Sequence, residues 1–131
     1  MKMAYTKAPM PKDGRKIFLR LSKQYVDLIK LINIDLNSIY IDFQNEDGSV
    51  IVKLDYALYG CVEAGRLWYN YFSNILLEKI GYKVSNLDNC VFNLFDEPGM
   101  IISTIVVHVD DGFTTGSSEE VLDEFFHNLK V

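Results

Sequence analysis

The sequence predicts an α+β fold in which helices pack on one face of a mainly antiparallel sheet. Three observations predict it. Short apolar runs with strand periodicity come in neighbouring pairs joined by turn residues, at 39–54 and again at 90–109. Stretches beginning near Ser22, Arg66 and Ser117 instead place apolar residues three and four apart, the helical period. The resulting order is strand, helix, hairpin, helix, two strands, acidic turn, short strand, helix, which sets hairpins rather than single strands between helices.

Bulk properties bound the problem. A chain of 131 residues suits one domain and can bury a core. Hydrophobic residues at 49% and charged residues at 24% exclude a disordered composition. With a formal net charge of −5, global charge gives no argument for a nucleic-acid partner. Cys61 and Cys90 have no second Cys or His at metal-ligand spacing, so both are expected as reduced thiols. No apolar run reaches the roughly 18 residues of a membrane span, and Met1–Met10 lacks the apolar block of a signal peptide. The expectation is an intracellular protein with no membrane partner.

Pro9, Pro11 and Gly14 make the opening a loop, and residues 16–21 read as a strand. Ser22 is placed to cap a helix with the stripe Tyr25, Leu28, Ile29 and Ile32. Ile39, Ile41 and Phe43 alternate with polar residues. Turn chemistry at 45–49 and a return strand at 50–54 complete a hairpin. After a loop over 56–65, Trp68, Tyr71, Phe72, Ile75, Leu76 and Ile80 share one helical face, and Gly81 stops the helix. Strands follow at 90–95 and 100–109, the second expected to be central and covered on both faces. Ser117-Ser118-Glu119-Glu120 reads as a capping box, and Val121, Leu122, Phe125, Phe126 and Leu129 stripe the last helix.

The feature with chemical content is the turn at Asp110-Asp111. Two unit charges about 4 Å apart repel by roughly 1 kcal/mol in water and several times more near a protein surface. Adjacent carboxylates after an apolar strand therefore call for an offset. One carboxylate takes up a proton, both remain solvated as in an ordinary hairpin turn, or a divalent cation sits between them. Oxygen ligands on a rigid hairpin, with room for water and phosphate, fit Mg²⁺, with Mn²⁺ as an alternative. Strand alternation turns His108 away from the face of Val109 and Asp111, which makes it a packing residue rather than a third ligand.

Upstream, residues 53–69 read KLDYALYGCVEAGRLWY. This resembles the K-L-x-x-A-L-Y-G-x-x-x-A-x-R-x-W-Y signature of copia-type retrotransposon reverse transcriptases. In that family a helix, a D-x-C-V-F strand and a V-x-Y-V-D-D hairpin follow. Here Asp88-Asn89-Cys90-Val91-Phe92 and Val106–Asp111 stand in those places, in the same order. Ala4-Tyr5 through Pro9-Met10-Pro11 resembles the family's A-Y-L-N-A-x-M-P more loosely.

The resemblance implies a polymerase palm-like antiparallel sheet, truncated at both ends, over a single partial domain at 1–131. Residues 1–55 would be the end of the fingers and early palm. Residues 56–116 would be the palm core with the acidic hairpin, and 117–131 the start of the following helix. It implies that Asp110 and Asp111 are the catalytic, metal-binding aspartates, holding Mg²⁺ or Mn²⁺. Tyr59 and Gly60 would lie beside the nucleotide and template base, with core packing as the other reading of Tyr59. The parent enzyme would extend a primer on an RNA or DNA template with deoxynucleotides, in the cytoplasm, a virus-like particle or the nucleus. His108 departs from the usual Tyr, Gly65 from the usual Pro and Gly112 from an aliphatic residue, the last two expected to loosen the chain locally. The family's further metal-binding Asp would fall just before Met1, and Asp13, Asp27, Asp35 and Asp42 do not match its motif. The chain by itself is therefore expected to be an inactive fragment. A non-catalytic binding module on the palm fold, and a relic reading frame without a stable product, remain the other two readings.

Overall fold

The computed structural model describes residues 4–32 and 41–129. Among them lie three α-helices and two antiparallel sheets, so the fold is mixed α and β, compatible with α+β. None of the helices described is long and apolar enough to cross a membrane. The chain divides into two compact units: Met10–Tyr56 forms one, and the segments on either side of it form the other.

In the Met10–Tyr56 unit, β1 (Phe18–Leu21) and β2 (Ile41–Gln44) flank β3 (Val50–Lys53), both antiparallel to it. The hairpin expected from the alternating run and its turn residues is present, with a register irregularity between Ile41 and Phe43. Its expected first residues, Ile39 and Tyr40, lie outside the described residues. Ser49 closes the turn. Its hydroxyl donates to Asp47 Oδ1 at 2.6 Å and accepts from Asn45 Nδ2 and Arg20 Nε, at 2.9 and 3.0 Å.

Helix α1 (Lys23–Leu31) begins after Ser22, as expected, but its apolar stripe is rotated. Val26 is buried with Val50 and Val52, while Tyr25, Leu28 and Ile32 are exposed. The helix carries more apolar residues than one face can hold. The aliphatic stem of Lys23 lies against Gly48 in the 45–49 turn.

The other unit carries a four-stranded sheet in the order β4 (Lys83–Val84), β5 (Val91–Phe95), β6 (Ile101–His108), β7 (Asp111–Gly116). The opening loop contains one 3-10 turn, Tyr5–Lys7. Helix α2 spans Ala64–Asn74 and buries Trp68 and Phe72, two of the residues its periodicity assigned inward. It widens into a π-helical turn at Ile75–Ile80, which the sequence pattern does not disclose. Gly81 then adopts φ +90°, and the Leu76 carbonyl accepts from the N–H groups of both Gly81 and Tyr82. That closure is one residue wider than the usual glycine-terminated helix end, as the π turn demands.

Strand β6 is internal to the sheet, as expected, but it is not covered on both faces. Ser103, Ile105 and Val107 are buried, whereas Val106 is 40% exposed. The apolar residues on its other face supply strand propensity without burial. Helix α3 (Glu119–Asn128) buries Phe125, which meets the Tyr82 ring edge-on. Its cap is Ser118, whose Oγ accepts from Val121 N–H, so Glu120 stands one position short of the reciprocal place in a capping box.

Candidate functional site

The acidic turn is a two-residue hairpin loop. His108 pairs with Asp111 across the ladder, leaving Val109 and Asp110 as its central residues. Such loops need positive φ to match the twist of the flanking strands, and glycine usually provides it. Here Val109 does, with φ 56°. A β-branched side chain in the left-handed region is strained, and it is strained immediately before the two carboxylates.

The same register corrects the expectation for His108. Directly paired residues share a face, so His108 and Asp111 lie on one face of the hairpin, opposite to that of Val107 and Gly112. His108 is exposed rather than packed. The single-strand alternation used for the expectation fails because the chain reverses between the two residues. No group of three His, Cys, Asp or Glu side chains that could hold a metal occurs among the described residues.

The structure joins the upstream signature to this turn. Tyr59 Oη donates to Asp110 Oδ2 at 3.1 Å, across 51 positions of sequence. Its phenol pKa is raised above the ordinary value, first by partial desolvation and then by the hydrogen bond and negative charge of Asp110. The phenol therefore stays protonated and donating through neutral pH, and the bond is lost as pH rises through the raised pKa. Tyr59 remains 47% exposed, so plain core packing does not describe it. Its ring stacks on Tyr5, with centroids 4.4 Å apart and planes at 27°. Gly60 follows with φ +94°, and nothing lies within 4 Å of where its Cβ would be. Backbone conformation, not crowding, calls for glycine here, and the space above it is open.

Other signature residues have structural roles. Asp88 Oδ1 accepts from Cys90 N–H at 2.8 Å, and Tyr69 Oη donates to the Asn89 carbonyl at 2.7 Å, so both fasten the turn entering β5. Gly65 lies in the first turn of α2 rather than in a loop. Gly112 keeps the β6–β7 register opposite Val107.

Tyr5 belongs to this site, and sequence reasoning missed it, although the looser opening motif containing Ala4-Tyr5 was a pointer. The strain at Val109 was also legible in principle, since pairing His108 with Asp111 leaves a loop of two residues. No protein-family model matches this chain, and no solved structure matches it.

Proposed function

We propose that this chain is part of the palm of a copia-type reverse transcriptase, with Asp110 and Asp111 as its divalent-metal pair. The observation that supports the reading most is the Tyr59–Asp110 hydrogen bond, which unites the signature and the acidic turn in one place. Ions of the Mg²⁺ type are commonly held by one or two carboxylates, with waters and substrate phosphates completing the shell. Asp110 and Asp111 suit that role, and they do not form a closed protein cage.

In this reading Asp110 and Asp111 hold the ions. The chemistry such ions would supply there is neutralisation of phosphate charge and activation of a primer 3′-hydroxyl toward the α-phosphate of a deoxynucleotide, with pyrophosphate as the leaving group. Tyr59 orients the Asp110 carboxylate and, with Tyr5 behind it, offers an aromatic surface beside the open space over Gly60. No third His, Cys, Asp or Glu is grouped with these two carboxylates among the described residues, so the chain alone is expected not to hold both ions in register. We expect it to lack primer extension by itself.

If the carboxylates act through phosphate-bridged metal, a deoxynucleoside triphosphate should tighten Mn²⁺ binding by supplying the missing oxygens. Calorimetric titration of Mn²⁺ with and without the nucleotide tests this. The expected result is tighter binding with nucleotide, lost in Asp110→Asn and Asp111→Asn. Tyr59→Phe should weaken Mn²⁺ by about tenfold, as loss of an outer-shell partner does. Nucleotide-independent binding, or binding unchanged in the Asp variants, would overturn the reading.

A further inference from the structure

Strand β7 ends the four-stranded sheet, and its far edge has no strand beside it among the described residues. Two hydrogen bonds fix which of its backbone groups face that edge. Val107 N–H donates to the Cys90 carbonyl, on the β5 side, and Ser117 N–H donates to the Ile102 carbonyl. Val107–Gly112 and Ser103–Gly116 are therefore cross-strand pairs without mutual hydrogen bonds, and alternation adds Ile105–Thr114. The N–H and C=O groups of Gly112, Thr114 and Gly116 thus point away from β6, off the open edge. Natural sheets blunt such edges with short strands, bulges, lysine or proline. The opposite edge follows that rule, since β4 has two residues and one of them is Lys83. Strand β7 does not. Its six residues, DGFTTG, include no basic residue or proline, and they pair with β6 without a register shift. Gly112, Phe113 and Thr115 are exposed, Phe113 by 69%.

We propose that two copies of this chain join along β7, antiparallel, about a two-fold axis at Thr114. A row of outward-facing backbone donors and acceptors is complemented by another extended strand, and this strand complements itself. Centred on Thr114, the pairing sets Gly112 against Gly116 of the second copy and forms about six main-chain hydrogen bonds. It also sets Phe113 directly against Thr115 of the second copy, an aromatic–β-branched pair in the closer, non-hydrogen-bonded class. Phe113 shares the face of Val106, opposite to Ile105 and Val107, so the pairing leaves the buried face of β6 undisturbed. Charge selects the direction. In the antiparallel arrangement Asp111 meets Ser117 of the second copy, and the two Asp111 residues lie about 20 Å apart at the rise of a strand. That exceeds the roughly 10 Å over which salt leaves charges interacting, whereas a parallel pairing would set them side by side. The proposal rests on the sheet alone and holds whether or not Asp110 and Asp111 carry an ion.

Sedimentation equilibrium reads the oligomeric state, and amide hydrogen exchange followed by NMR locates the contact, both on the unaltered chain. The expected result is a reversible monomer–dimer equilibrium with a dissociation constant on the order of 100 µM, the scale of an interface of less than standard area. Exchange at the Gly112, Thr114 and Gly116 amides should slow by about fourfold between about 10 µM and about 1 mM protein, as mass action depletes the monomer. The α-protons of Phe113 and Thr115 should show a cross-peak at the higher concentration. Two residues apart on one extended strand, they are too distant for it within a single copy. Thr114→Pro removes an edge-facing donor without removing a β6–β7 hydrogen bond, so this variant, once shown to melt cooperatively, should sediment as a monomer. A wild-type chain that stays monomeric at about 1 mM would overturn the proposal. So would a dimer whose three edge amides exchange as in dilute solution, one lacking the cross-peak, or dimerisation retained by folded Thr114→Pro.

Discussion

Val109 carries the turn at a cost that another residue would avoid. Its φ of 56° suits Gly or Asn, and its side chain is 55% exposed, so replacing it loses little packing. Val109→Asn should stabilise the protein by about 1 kcal/mol, the scale of the left-handed penalty, read as a higher denaturant midpoint with unchanged slope. A lower midpoint would show that the strain is not stored there. A contrasting case is Tyr82. Its hydroxyl lies 2.7 Å from Ser103 Oγ, which donates its single proton to the Thr115 carbonyl, so Tyr82 must be the donor between them. Tyr82→Phe removes that donor from a buried network and should cost about 1–2 kcal/mol in the same measurement. Neither role shows in local periodicity. The first needs the pairing of His108 with Asp111, and the second needs β6 and β7 brought together over the end of α2.

At the scale of elements, the 45–49 turn is a charge-dependent fastening within its sheet. Asp47 is held below the usual carboxylate range, chiefly by the Ser49 hydroxyl and amide and further by Arg20, 2.6 Å away. A lowered folded pKa means the contribution is present above the unfolded carboxylate's pKa and lost as pH falls through the folded value. Asp47→Asn should therefore melt below wild type at neutral pH, and the gap should close as the solution is acidified. A gap that persists in acid would contradict the assignment. Periodicity made α2, β5 and β6 legible because each buries a face along its length. It misled for α1, where the residues with helical spacing outnumber the sites against β3. It was silent on β4, since two residues are too few to show a period.

For the whole molecule, the antiparallel sheets and their helices follow from patterning and turn residues, and that much of the fold was readable in advance. The site was readable in part. Asp110, Asp111, Tyr59 and Gly60 were singled out, and all lie in the same compact unit, with Tyr59 touching Asp110. The stacking of Tyr5 on Tyr59 depends on a contact between distant segments, to which local periodicity is blind. The central claim is that the acidic turn holds a divalent ion. Paramagnetic broadening of backbone amide resonances by substoichiometric Mn²⁺ tests it most directly. The account predicts that Asp110, Asp111 and Gly112 broaden first, followed by Tyr59 and Gly60, and that Asp110→Asn abolishes the pattern. Broadening centred on another acidic turn, such as Asp47 or Asp96, or spread evenly over the chain, would contradict it.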